Sequence, residues 1–298
     1  MLKNHISKSL VVCLLALASS GVLFSSCAKA DDKKDVVYGR AGDQDLQLDI
    51  YGADPKQKRP AIIMLHGGGW VGGSRNDMGI IASTFSQRGY VCFPISYRLV
   101  KGDKNRYPAQ IDDVQQAVRW IRAHADDYGV NPQKIGVLGA SAGAHLAALL
   151  GTTDTRDNSI PELSRYSSRV QCVVDLYGPM DFTSFADAPV IDAEQRSEGM
   201  RLVAGFLGPL PENAKNYKDA SPITHIDSKT APFLIFHGAK DTLVPLVQSQ
   251  QMDEALRKAG IESKLIVFPN VGHGYSDFDS IQKTFNASLD FFNDHLKK

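Results

Sequence analysis

Cysteine is scarce in this chain, and neither sign of charge is in excess. The 298 residues include 4 cysteines, and none lies in a Cys/His pattern with the spacing of zinc ligands. Lysine and arginine together number 33, as do aspartate and glutamate, so the formal net charge is zero. This balance gives no electrostatic basis for a nucleic-acid partner or for binding to an anionic membrane surface. The sequence predicts neither a metal site nor a cofactor.

The longest apolar run lies near the N-terminus and has the layout of an export signal. Lys3 and Lys8 precede an apolar stretch over residues 10–24, which is shorter than the roughly 20 residues that a spanning helix needs. Two cleavage sites fit, one after Ala30 and one before Cys27, which would then carry a lipid. We therefore expect a signal peptide over the first thirty residues and an extracytoplasmic protein, with a lipid anchor at Cys27 as its only route to a membrane.

The rest of the chain alternates strand patterns with helical patterns. A charged tether is expected over residues 31–44, although residues 36–40 are also a candidate partner for a half-buried strand over residues 45–51. Repeated strand–helix units predict an α/β domain over residues 45–298, with a mainly parallel central sheet and helices on both faces. The further strands are predicted over residues 61–65, 91–97, 134–139, 170–177, 232–236 and 264–268; the helices are predicted over residues 78–88, 108–128, 247–259 and 277–296 and directly after residue 141.

One segment interrupts this alternation. Residues 178–230 lie between two predicted strands and are far longer than a connection requires. They contain short helical patterns, such as the one over residues 194–206. We expect this insertion to form a cap over a pocket and to influence specificity.

A serine lies in a short Gly-rich turn between a predicted strand and an alanine-rich helix. In Gly139-Ala140-Ser141-Ala142-Gly143, the small residues permit a sharp turn that would expose the Ser141 hydroxyl above the sheet. The N-terminus of the following helix would lie beside that hydroxyl, where it can stabilise negative charge. This pattern predicts a nucleophile.

Three other loops, each at the end of a predicted strand, supply the groups that such a nucleophile requires. His66-Gly67-Gly68-Gly69-Trp70 predicts backbone donors for an oxyanion at Gly68 and Gly69, together with Ala142. Trp70 is predicted to form part of the pocket wall, with plain packing as the alternative. Asp241 and His273 follow the last two strands and complete a catalytic order of serine, acid and histidine.

Several residues compete with this assignment. A histidine should be the base that activates the serine, and a carboxylate should orient that histidine. His237 is expected to order the loop that bears Asp241, and His66 to hydrogen-bond within its own glycine loop. The rival acids are Asp175 and Asp181, and the rival bases are His237, His66, His145 and His295.

Together these motifs resemble the bacterial carbohydrate esterases of the α/β-hydrolase superfamily. Residues 66–70, 97–99, 107–109 and 139–146 carry the resemblance, which is closest to the bifunctional acetylxylan/feruloyl esterases and extends over residues 45–296. It implies the α/β-hydrolase fold, in whose strand order Cys92 and Cys172 would be separate buried thiols. Many related enzymes of the hormone-sensitive-lipase type have aspartate where this chain has Ala140, which weakens assignment to that branch.

The resemblance implies a serine carboxylesterase, and the N-terminal signal pattern adds that it is exported or lipid-anchored. Such an enzyme would remove acetyl groups, and feruloyl groups as well, from plant-type polysaccharide through an acyl-enzyme. The alternatives are an arylformamidase-like hydrolase, a general esterase of short-chain esters and, from another class, a non-catalytic glycan-binding lipoprotein. The expected partner is a small-molecule or polysaccharide ester, and the oligomeric state stays open.

Overall fold

The computed structural model of the protein describes residues 32–185 and 192–298. The expected signal peptide and Cys27 lie outside these ranges. Within them, no helix is both long enough and apolar enough to cross a membrane.

The described residues form one eight-stranded sheet. Its strand order is β1-β2-β4-β3-β5-β6-β7-β8, with β1 and β2 antiparallel to their neighbours and the other strands parallel. The catalytic candidates follow β5, β7 and β8, so the parallel arrangement brings them to one edge of the sheet. The strands are β1 (Lys33–Ala41), β2 (Gln44–Ile50), β3 (Arg59–Leu65), β4 (Val91–Ile95), β5 (Val130–Ala140), β6 (Cys172–Leu176), β7 (Phe233–Gly238) and β8 (Ser263–Phe268).

Helices cover both faces of the sheet, as the sequence predicts. Side chains alternate along each strand, so Ile62 of β3 packs with one buried cluster and Ile63 with the other. α1 and α8 cover the first face; α2, α4 and α7 cover the second. The helices are α1 (Gly79–Ser86), α2 (Ala109–Ala123), α3 (Ala125–Tyr128), α4 (Ala142–Thr152), α5 (Ala193–Leu207), α6 (Ala214–Asp219), α7 (Val247–Lys258) and α8 (Phe278–Leu296).

The tether prediction for residues 31–44 is wrong where β1 lies, because the charges at its start have partners in the fold. Lys34 Nζ lies 2.9 Å from Asp49 Oδ2, and the backbone N–H of Asp35 donates to the other oxygen of that carboxylate at 3.1 Å. Arg75 also donates to Asp49, at 3.0 Å. Farther along β1, Tyr38 is buried. β1 therefore pairs with β2 as an ordered edge strand.

The insertion between β6 and β7 forms a cap, as expected. It contains α5 and α6, and α5 lies over the loop that follows β3. Phe206 of α5 stacks on Trp70 of that loop, with ring centroids 4.3 Å apart. The prediction of two separate thiols is also confirmed, because Cys92 in β4 and Cys172 in β6 are both free and buried.

Candidate active site

Ser141 lies at the apex of a strained turn between β5 and α4. Its backbone has φ 53° and ψ −118°, a conformation that residues with a side chain rarely adopt. The small neighbours permit the turn, because a Cβ on Gly139 would lie 2.2 Å from the Gly143 carbonyl oxygen and one on Gly143 would lie 2.2 Å from that of Leu65. The Ser141 N–H donates to Leu176 of β6 at 2.8 Å. Strain of this kind is typical of functional positions.

The structure brings the three sequence-predicted residues Ser141, His273 and Asp241 into one hydrogen-bonded series. His273 Nε2 lies 2.9 Å from Ser141 Oγ, and His273 Nδ1 lies 2.7 Å from Asp241 Oδ2. An ionised carboxylate only accepts hydrogen bonds, so Nδ1 carries the proton and donates to Asp241. Nε2 is then free to accept the hydroxyl proton of Ser141.

Asp241 is held in its ionised form by several donors. The backbone N–H groups of Leu243 and Val244 donate to its Oδ1 at 3.0 and 2.9 Å. Burial acts to raise the pKa of the Asp241 carboxyl, but the nearby His273 and a further hydrogen bond from His237 outweigh burial and leave that pKa well below its usual range. Asp241 can therefore stabilise a positive charge on His273.

A second histidine, His237, contacts the same carboxylate. His237 Nε2 lies 2.9 Å from the carbonyl oxygen of Val244 and 3.3 Å from Asp241 Oδ2, while Nδ1 lies 2.7 Å from Ser249 Oγ. A carbonyl can only accept, so Nε2 carries the proton, and Nδ1 accepts from the Ser249 hydroxyl when the ring is neutral. His237 thus joins the end of β7 to the loop that bears Asp241.

The loop after β3 turns its backbone toward Ser141. Gly68 and Gly69 have φ values of 114° and 58°, and a Cβ on Gly67 would lie only 3.0 Å from the carbonyl oxygen of Ala140 beside the nucleophile. Within residues 32–185 and 192–298, the N–H groups of Gly68, Gly69 and Ala142 donate to no other residue. These N–H groups are the predicted oxyanion donors, and they have no competing partner there.

Contacts from the segment after β4 hold this loop. The Tyr97 hydroxyl donates to the carbonyl oxygen of His66 at 2.7 Å, and the two rings stack with centroids 4.3 Å apart. The N–H of Val100 donates to the carbonyl oxygen of Trp70 at 2.8 Å. The loop therefore has fixed supports at both ends.

Trp70, the predicted pocket-wall residue, is 3% exposed. Besides stacking on Phe206, it makes edge contacts with His145 and Phe182, with centroid distances of 5.4 and 5.9 Å. The structure thus places Trp70 in an aromatic cluster between the glycine loop and the cap. That position is consistent with the packing alternative, while a part in binding substrate stays a prediction.

The rival residues have other partners. Asp175 is buried in β6, where burial raises its pKa to about 7, and it accepts a hydrogen bond from the N–H of Gly178. Asp181 accepts from neighbouring hydroxyls. His145 donates to the carbonyl oxygen of Ala220 at 2.7 Å, and burial lowers its pKa to about 4. His66 stacks on a tyrosine and His295 lies 3.4 Å from Glu262.

Tyr177 is a site residue that sequence reasoning missed. It follows β6, has a positive φ of 51°, and its buried ring meets the His273 ring edge-on with centroids 4.8 Å apart. A positive φ at a bulky residue is rare and marks a constrained position. One feature of the sequence could have drawn attention to this residue: Tyr177 directly precedes Gly178-Pro179 at the end of an apolar strand.

The site contains the elements needed for nucleophilic chemistry on a carbonyl carbon. A serine hydroxyl contacts a histidine that can accept its proton. Backbone N–H groups that have no partner among the described residues lie on either side. In the two described ranges, no group of three or more His, Cys, Asp or Glu side chains is placed to hold a metal ion. The Ser141 hydroxyl, the His273 imidazole and the backbone N–H groups together suit proton transfer and covalent attack.

Comparison with known proteins relates most of the chain to esterases. The model of the BD-FAE family matches residues 48–256. The probable carboxylic ester hydrolase LipM of Mycobacterium tuberculosis is 32% identical over 81% of this chain and 54% of its own length. The acetylxylan esterase of Xylanibacter ruminicola is 29% identical over 72% of this chain and 41% of its own length. The chain thus spans about half the length of these curated relatives.

Solved structures share the fold over nearly the whole described chain. An esterase from the planctomycete Thermogutta terrifontis, solved with butyrate bound, superposes with a TM-score of 0.75 at 29% identity, covering 88% of this chain and 94% of that one. The same esterase has been solved phosphonylated by sarin. A truncated carbohydrate esterase from gut microbiota superposes with a TM-score of 0.73 at 28% identity, covering 92% of this chain and 99% of that one.

Proposed function

Because the chain belongs to the BD-FAE family and has the α/β-hydrolase fold, we propose that it is a serine carboxylesterase acting on acylated polysaccharide or its oligosaccharides. Acetyl is the acyl group that we propose it removes. The observation that carries this proposal is the hydrogen-bonded series from Ser141 through His273 to Asp241.

The first half of the proposed reaction forms an acyl-enzyme. His273 Nε2 takes the proton from Ser141 Oγ as that oxygen attacks the carbonyl carbon of the ester. The carbonyl oxygen becomes an oxyanion that accepts hydrogen bonds from the N–H groups of Gly68, Gly69 and Ala142. One such donor lowers the barrier by roughly 2.7–4 kcal/mol.

The second half releases the acid. The bond from the carbonyl carbon to the alcohol oxygen breaks, and the alcohol takes the proton from His273 as it leaves. Water then loses a proton to the same nitrogen and attacks the acyl-enzyme, which returns the hydroxyl hydrogen to Ser141 and frees the carboxylic acid. Asp241 stabilises the charged imidazole in both halves.

Relatives support both the chemistry and the substrate class. An organophosphorus reagent modifies the Thermogutta esterase, which is consistent with an activated nucleophile in this fold. The acetylxylan esterase of Xylanibacter ruminicola and the carbohydrate esterase from gut microbiota support polysaccharide esters as substrates. The export pattern at the N-terminus supports action outside the cytoplasm, where such polymers are found, with Cys27 as the proposed site of a lipid anchor.

Acetate release from acetylated xylan tests this proposal. We expect wild-type protein to release acetate and Ser141→Ala to release none. Ser228→Ala, which changes an exposed serine in the loop before β7, should release acetate at the wild-type rate. Equal release by wild type and Ser141→Ala would refute the mechanism.

The second candidate is a general esterase of small soluble esters. It is favoured by the Thermogutta esterase, which has been solved with butyrate and with propionate bound. The same assay distinguishes the two candidates. Serine-dependent cleavage of p-nitrophenyl acetate without acetate release from the polymer would support the second candidate and reject the polysaccharide.

A further inference from the structure

One face of α5 contacts both sides of the candidate site. A Cβ on Gly199 would lie 2.8 Å from the carbonyl oxygen of Leu243, two residues after Asp241. Leu202 packs on the other side of the site, where its Cδ2 and Cδ1 lie 2.9 and 3.0 Å from the position of a Cβ on Gly69. Residues three apart in a helix share a face. The two contacts therefore orient this face of α5 across the site, from the acid loop to the glycine loop.

The proposed reaction fixes which part of the ester meets Leu202. His273 must protonate the leaving alcohol, so the alcohol lies on the His273 side of the carbonyl carbon. The carbonyl oxygen lies at the N–H groups of Gly68, Gly69 and Ala142. The remaining substituent, the acyl chain, then lies away from His273, beside the glycine loop. Leu202 of α5 packs directly on Gly69 of that loop.

Leu202 offers the acyl chain a short apolar site. Leu202 is 7% exposed. One turn farther along the same face, α5 is held to the glycine loop, because Phe206 stacks on Trp70, and the carbonyl oxygen of Phe206 accepts from the N–H of Tyr107 at 2.9 Å. Leu202 therefore cannot move away from a longer substrate without disturbing the packing of α5 on the loop.

From these contacts we infer that Leu202 sets the acyl-chain limit of the enzyme, so that acetyl fits and chains of hexanoyl length are excluded. This inference rests on the proposed function and specifies its substrate class. Replacing leucine by alanine removes three carbons, which opens room for added methylenes of the substrate. Each methylene taken out of water improves binding by about fourfold, so even partial use of that room should change the preference at least about tenfold.

The test compares kcat/KM for p-nitrophenyl hexanoate with kcat/KM for p-nitrophenyl acetate. Leu202→Ala should raise the hexanoate-to-acetate ratio at least about tenfold above wild type. Val203→Ala is the matched control, because Val203 is buried in the same helix but does not share the helix face of Leu202. This variant should leave the ratio within about twofold of wild type. Leu202→Val should shift the ratio in the same direction by a smaller factor, and it carries the test if the alanine variant does not fold.

The outcomes separate this inference from the proposed function. If wild type cleaves p-nitrophenyl acetate and the Leu202 variants change both esters by the same factor, the acyl-limit inference is overturned while the esterase remains. The same ratio change in Val203→Ala would also overturn it, since the effect would then come from loosening α5. If folded wild type cleaves neither ester, the proposed function itself fails.

Discussion

The strained backbone at Ser141 predicts that stability and activity can be separated at this residue. Ser141→Ala and Ser141→Gly both remove the hydroxyl and its hydrogen bond to His273, so both should be inactive. Only the glycine variant also relieves the backbone, whose φ of 53° and ψ of −118° suit glycine but not alanine. The difference in stability between the two variants therefore measures the strain.

The expected magnitude follows from two opposing terms. A residue held in a sparsely populated backbone region costs about 1–3 kcal/mol. Glycine loses more conformational freedom on folding than alanine does, which costs about 0.5–1 kcal/mol. Ser141→Gly should therefore exceed Ser141→Ala in free energy of unfolding by about 1 kcal/mol, and in Tm by roughly 2–4 °C.

Urea unfolding of the two variants at matched m-values is the assay. Ala142→Gly serves as a control, because Ala142 is the first residue of α4 and glycine should lower stability there. If Ser141→Gly is equal to Ser141→Ala or less stable, the turn does not store strain.

Three further predictions concern the glycine loop, His237 and the buried Asp175. Gly69→Ala should lower kcat/KM for p-nitrophenyl acetate at least about tenfold, because φ at this residue is 58° and the new Cβ would lie 2.9 Å from Leu202 of the cap. Gly42→Ala is the control, because Gly42 has a similar φ of 60° in open space, and it should leave kcat/KM unchanged. His237→Gln keeps a donor near Asp241 and should retain kcat within about threefold. The shorter side chain in His237→Asn loses that donor and should reduce kcat about tenfold. Equal kcat values in the two variants would show that the contact of His237 with Asp241 does not contribute to turnover. Burial raises the pKa of Asp175 to about 7, so the contribution of this residue to stability falls as pH rises from about 4 to 7. Urea titrations should therefore show Asp175→Asn gaining stability relative to wild type across that range. A constant difference in stability would contradict the raised pKa.

The sequence predicted the parts of the fold that local chemistry determines. Buried parallel strands and their glycine turns have strong local patterns, and Ser141, Asp241 and His273 each follow such a strand. The parallel sheet then brings them together because their strands end at one edge. No distance in the site had to be known for that prediction.

The sequence could not show which charges find partners far along the chain. Lys34 and Asp35 resembled the start of a solvated tether. In the fold Lys34 pairs with Asp49 and Asp35 pairs with Arg75, and β1 becomes an edge strand. The strand pattern over residues 36–40 was the local sign that this segment could pair with β2. The charge pattern was outweighed by contacts between residues 14 to 40 positions apart.

The cap was predicted as a segment but not as a set of contacts. Nothing in residues 178–230 indicates locally that Leu202 should reach Gly69 or that Phe206 should reach Trp70. Tyr177 was missed for the same reason, because its contact with His273 joins the ends of two strands that are not neighbours in the sheet. The specificity that we propose for the cap would therefore depend on tertiary packing that the local pattern does not encode.

The stack of Trp70 on Phe206 makes the cap observable by fluorescence. The chain has 2 tryptophans, and the other, Trp120, stacks on His124 in α2 and its adjoining turn, with centroids 4.2 Å apart. Trp120→Phe would leave one indole, enclosed between the glycine loop and α5. Its emission would shift toward longer wavelength whenever water reached the ring. The intrinsic signal of that variant would thus report separation of α5 from the loop, in solution and during turnover, without an attached dye.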